Sequence, residues 1–111
     1  MAEPLLTETF GANATQTATT LTITKADFVV NSLTPLAANT AESLLVAILL
    51  KCRIALTEEA RLTNLPLRNV TAVYSGQDLI DQGGTNIFLR DTLQVSMYRL
   101  TTISAIDPDN Y

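Results

Sequence analysis

The chain has no histidine, no tryptophan and a single cysteine among its 111 residues, and each absence removes a class of function. Without histidine, Ser-His and Cys-His nucleophilic catalysis and histidine-based metal centres are excluded on inventory alone. The lone Cys52 leaves no intramolecular disulfide, and its place among apolar residues reads as an inert, buried thiol rather than a nucleophile. Aromatics are scarce: three tyrosines, Tyr74, Tyr98 and Tyr111, lie scattered and give no stacking platform for bases and little for sugars. The only Gly-Gly pair, Gly83 and Gly84, has no following Lys-Ser and no strand-to-helix setting, so no phosphate cradle is expected.

Basic residues are few as well. Seven Lys and Arg stand against eleven Asp and Glu, for a net charge of −4. A protein that tracks phosphates clusters its cations, whereas Lys25, Lys51, Arg53, Arg61, Arg68, Arg90 and Arg99 are spread along the chain. The one group that could gather in space is Lys51, Arg53 and Arg99, and an ordinary solvated face is the expectation for it. No nucleic-acid partner is expected. The N-terminal MAEPLLTETFG carries acids where a secretory leader carries bases, so export by that route is not expected. The longest apolar run, Leu44 to Leu50, is well short of the ~18 residues that span a bilayer, so no membrane partner is expected.

What the chain does have is 47% hydrophobic content, enough for one compact domain. From Leu44 to Leu56 every even-numbered residue is apolar: Leu44, Val46, Ile48, Leu50, Cys52, Ile54 and Leu56. On a strand these share one face, while the other parity passes from Leu45, Ala47 and Leu49 to Lys51 and Arg53. A competing pattern is present, since Asn39 followed by Glu42 fits a capping box that would open a helix over about 40–56. That helix would leave Leu50 and Ile54 on its outward side, and the period of two is favoured on that ground.

The remaining chain reads as extended segments between breakers. Residues 1–14, with Pro4 and Gly11, form an N-terminal arm. The threonine-rich TQTATTLTIT at 15–24 alternates with Leu21 and Ile23 as a strand. Residues 57–69 form a polar loop with at most one helical turn near Glu58 to Leu62. VTAVYSG around 70–75 is a strand, and DQGGT at 81–85 is a turn. Asn86–Leu89 and Thr92–Thr102 are strands that Arg90 and Asp91 could join as a bulge. The resulting expectation is a mainly all-β chain: a small antiparallel β-sandwich over 15–103, an extended arm over 1–14 and a polar tail over 104–111. The alternative is an α+β fold with the helix at about 40–56.

No segment supplies a catalytic constellation, and no cofactor or metal is expected. Asp78 and Asp81 could form an acid/base pair, but both flank a turn, where short carboxylates bond local N–H groups. Asp107, Asp109 and Asn110 offer oxygen ligands without the glycine and distal bidentate Glu of a tight calcium loop. Glu58, Glu59 and Arg61 read as a solvated face. Asn13-Ala14-Thr15 and Asn69-Val70-Thr71 match the glycosylation acceptor pattern, as chance matches in a chain this rich in threonine.

A leader such as ATQTATTLTIT joined to a β-rich part ending SGQDLIDQGGTNIFLRDTLQVSMYRL resembles the small virion structural proteins of tailed phages, those that act as capsid cement or as neck and tail parts. The resemblance implies a non-enzymatic assembly protein, a homo-oligomer and commonly a trimer. It would work through contacts with major capsid or other virion proteins, and reside in virions assembled in a host cytoplasm. Leu5, Leu6, Phe10 and Tyr111, in the arm and tail, are the expected assembly contacts. Alternatives are a neck, tail or baseplate component, and a carbohydrate- or ligand-binding β-sandwich.

Overall fold

The computed structural model describes residues 3–99. In chain order these form helix α1 (Leu6–Phe10), the short strands β1 (Thr15–Gln16) and β2 (Leu21–Thr22), a 3-10 helix (Lys25–Asn31), helices α2 (Ala41–Ala55) and α3 (Glu58–Thr63), and strands β3 (Val70–Asp81) and β4 (Ile87–Met97). The strands make two separate two-stranded antiparallel sheets, β1 with β2 and β3 with β4. This is a mixed α/β fold, not a sandwich: no two sheets face each other across a shared core among the described residues.

The central correction concerns residues 44–56, which are helical rather than a strand. Thr40 caps α2: its hydroxyl oxygen accepts the Ser43 N–H at 3.1 Å, and Glu42 sits in the first turn where a negative charge favours the helix dipole. Leucine and alanine dominate the interior, and both favour helix when packing does not forbid it. The expected cost is real in part: Ile54 stands more than half exposed on the flank of α2, as do Leu45 and Val46, whereas Leu50 is half-buried. Helix propensity and the cap win, and apolar surface is left in water.

Only the inner stripe of α2 builds a core. Phe28 of the 3-10 helix, Leu33 and Ala47 are buried together, with Ile23, Leu44 and Ile48 packed around them. Ala14, Leu56 and Ala72 complete the buried apolar set among the described residues. Three of these six are alanines, so the core is thin.

The threonine-rich segment also departs from a continuous strand. Thr17 closes a turn in its middle, where its Oγ1 accepts the Thr20 N–H at 3.1 Å and its own N–H bonds the Thr20 carbonyl at 2.9 Å. Threonine hydroxyls compete with strand ladders in this way, which leaves two paired residues on each side.

The expected extended arm is a docked helix. Residues Leu6–Phe10 pack on α2, the Cys52 thiol donates to the Thr9 carbonyl at 3.4 Å, and Glu8 lies 3.5 Å from Arg68. Arg68 is buried, and its guanidinium also donates to the Ala55 carbonyl at 3.2 Å, placing a cation at the C-terminus of α2. The segment after α1 is held by Asp27, whose carboxylate accepts the Asn13 backbone N–H at 2.8 Å and its side-chain amide at 2.7 Å. The expected tail over 104–111 lies outside the described residues.

Candidate assembly surface

The β3–β4 hairpin presents two chemically different faces, and its register decides which side chains share each. Val70 pairs with Met97, Ala72 with Val95 and Tyr74 with Leu93; the register then shifts between Tyr74 and Gly76. Ser75 is the extra residue, and its hydroxyl donates to the Thr92 carbonyl at 3.1 Å. Beyond the bulge, Gln77 pairs with Asp91, Leu79 with Leu89 and Asp81 with Ile87. Because side chains alternate, the bulge keeps Leu79 and Leu89 on the face that carries Ala72, Tyr74 and Leu93. That face carries a row of apolar side chains at both ends of the hairpin, interrupted by the Gln77–Asp91 pair and by Asp81 near the tip. The opposite face carries Thr71, Ser96, Val73, Gln94, Thr92, Asp78 and Arg90, with Ile80 and Phe88 near its tip.

Helix α2 lies against only the base of the apolar face. Its last carbonyls reach β3 through the Ala72 N–H, which bonds the Leu56 carbonyl at 2.8 Å. Between α2 and the hairpin an open cleft of about 740 Å³ remains, walled by Val46, Leu49, Leu50 and Leu93. Arg53, Tyr74, Gln77 and Asp91 supply its polar groups. The Tyr74 hydroxyl donates to Asp91 Oδ1 at 2.8 Å, and Arg53 stands 5.6 Å from the Tyr74 ring centre. Partial removal from water, then the hydrogen bond and charge of Asp91, raise the Tyr74 phenol above its usual pKa. A second cleft of about 490 Å³ lies under α1, where Phe10, Leu49, Cys52, Leu56 and Val95 meet.

Past the cleft nothing among the described residues covers the hairpin. No residue from Asp78 to Arg90 is buried. Leu79 is 73% exposed, Ile87 62% and Leu89 57%, while Met97 at the other end of the row is 84% exposed. Isolated two-stranded ribbons are marginal in water, and among the described residues both long strands keep an unpaired edge. Fully burying a side chain of this type stabilises by about 1.5 to 3 kcal/mol, so covering the row with Val95 included would gain roughly 5 to 10 kcal/mol before the costs of association.

The sequence-predicted site residues fall elsewhere. Leu5 is exposed, whereas Leu6 and Phe10 are half-buried within α1 and its packing on α2. Tyr111 lies outside the described residues, as do Asp107, Asp109 and Asn110. Asp78 and Asp81 project to opposite faces of β3 and cannot act as a pair. Asp78 is gripped by Arg90 at 3.0 and 2.6 Å, and that guanidinium lowers its pKa. Asp81 accepts the Gly83 N–H at 2.8 Å inside the turn.

Glu58, Arg61 and Tyr98 form one cluster that ties α3 to the end of β4. Arg61 bonds Glu58 at 2.9 Å and stacks 3.5 Å from the Tyr98 ring centre, and the Tyr98 hydroxyl reaches Glu58 at 3.3 Å. Asn69 donates to the Pro66 carbonyl at 3.0 Å, so this acceptor-pattern asparagine, like Asn13, is engaged locally. The hairpin row was missed in the sequence because it emerges only from the register, although Leu93, Val95 and Met97 show its parity.

Among the described residues there is no group of three acidic or thiol side chains able to hold a metal ion, and no helix long and apolar enough to cross a membrane. No protein-family model, curated protein or solved structure matches the chain.

Proposed function

We propose that the chain is a non-enzymatic structural protein, a subunit whose exposed apolar surface is covered by other protein in an assembly. The assembly that its sequence texture favours is a tailed-phage virion, with capsid cement as the role and neck, tail or baseplate as the alternative positions. The observation that carries the reading is the uncovered apolar row of the β3–β4 hairpin beside a core of only six buried apolar residues among those described. A monomer in water leaves that row without compensation; an oligomer or a capsid lattice covers it. The polar groups in the cleft are engaged with one another, Tyr74 with Asp91, which suits a contact surface better than a reaction centre. The carbohydrate- or ligand-binding sandwich is withdrawn along with the sandwich itself.

The test is sedimentation velocity over a wide concentration range, paired with co-sedimentation of the protein with purified phage capsids and tails. Association with itself or with particles is the expected result. A protein that stays monomeric at every concentration and pellets with no particle overturns the proposal.

A further inference from the structure

We propose that the cleft between α2 and the hairpin receives the distal hairpin of a second copy of this chain. The contact is head to tail and rests on the assembly reading above. The chemistry of the two surfaces matches. The cleft has apolar walls, Val46, Leu49, Leu50 and Leu93, and a guest made of Leu79, Ile87 and Leu89 presents apolar side chains on one face of a slim two-stranded ribbon. The charges match too. Asp81 shares that face of the guest, and its Oδ1 alone is committed, to the Gly83 N–H.

The cleft supplies Arg53, which has no carboxylate partner among the described residues and stands 5.6 Å from the Tyr74 ring centre. The chain cannot fill its own cleft with this hairpin, because Tyr74, Gln77, Asp91 and Leu93 at the hairpin's base already form one wall of it. A phosphate-rich guest, with many charges, would meet a single cation in the cleft lining, Arg53, beside the carboxylate of Asp91. A surface and a guest that differ within one subunit generate a ring where the rotation closes, and a cyclic trimer is one such ring.

The experiment uses two full-length variants, each checked for its fold by circular dichroism and thermal melting. The hairpin variant is Leu79→Glu with Leu89→Glu, and the cleft variant is Val46→Glu with Arg53→Glu; all four positions are exposed or half-buried, so both variants should fold. By sedimentation velocity each alone should associate at least tenfold more weakly than the wild type. Mixed, they should form a one-to-one dimer and no larger species, because only one intact hairpin and one intact cleft remain. A single Asp81→Arg change should weaken association, and adding Arg53→Asp in the same chain should restore it.

Association unchanged in both variants overturns the contact while leaving the assembly reading in place. A mixture that stays monomeric overturns the head-to-tail geometry, and so does one variant that associates by itself like the wild type, the result that a two-fold contact between like surfaces gives. A wild-type protein that binds capsids but never itself overturns this inference alone.

Discussion

Gly11 shows how one residue ties the N-terminal helix to the rest of the fold. Its φ of 111° is costly for any residue with a side chain, and a Cβ placed there would lie 2.6 Å from the Asp27 Cβ. Gly11→Ala should therefore destabilise by about 2 kcal/mol or more, read by urea denaturation; a loss below ~0.5 kcal/mol would mean that α1 is not held at this point. Asp78 carries the clearest pH dependence. Its pKa is lowered from 3.8, chiefly by the hydrogen bond from Arg90. A carboxylate with a depressed folded-state pKa contributes stability above its unfolded value and loses that contribution as pH falls through the folded one. Acidification below about pH 4 should thus open the distal hairpin first. Amide exchange around Leu79 and Leu89 should accelerate there relative to α2, and Asp78→Asn should show the faster exchange already at neutral pH. The pair is solvent-exposed, so the effect is local.

At the scale of elements, α2 depends on its cap and little on its outer flank. Thr40→Ala should cost about 1 kcal/mol, whereas Leu45→Ser should change the stability of the isolated subunit by less than ~0.5 kcal/mol. A large loss for Leu45→Ser in a dilute thermal melt would place that side chain in the subunit core. This helix was misread because the run from Leu44 to Leu50 is apolar at both parities, so its match to a period of two carried little information. The turn near Gly83 and Gly84 was legible from its glycines, which take positive φ. The stretch from 57 to 69 was expected as a loop with at most one helical turn near Glu58 to Leu62; instead α3 runs over Glu58–Thr63, capped by Thr57 with two acids in its first turn. The long hairpin was legible in part: its first strand was expected around 70–75 and runs on to Asp81, and its bulge was expected at Arg90 and Asp91 and lies at Ser75, beside Gly76 with φ 139°. Bulge position depends on which residues of two distant segments face each other, and one strand's own pattern does not contain that. The apolar row, which exists only given the bulge, was hidden for the same reason.

At the scale of the whole molecule, the hydrophobic content promised a sizeable core, and the structure spends it differently. Apolar side chains at Leu45, Val46, Ile54, Leu79, Ile87, Leu89 and Met97 face solvent, while alanines fill much of the interior. On the proposed assembly two kinds of stability follow, one within the subunit and one between subunits, and they respond to different changes. Deleting residues 1–14 removes α1, the Glu8–Arg68 pair at 3.5 Å, the Asn13–Asp27 bonds and buried Ala14. Read as an undocked arm, the segment could be removed without thermal consequence; as a docked helix it cannot. The truncated chain should melt lower by about 10 °C or more at every protein concentration, given roughly 4 to 8 °C per kcal/mol for a domain near this size. The hairpin variant Leu79→Glu with Leu89→Glu should behave in the opposite way. Its midpoint should match the wild type in dilute solution and fall behind as concentration rises, because only the wild type gains from association. Melting curves for the three proteins over a hundredfold range of concentration separate the two contributions. A truncated chain that melts with the wild type in dilute solution would return α1 to the role of an arm and move the assembly surface to the N-terminus.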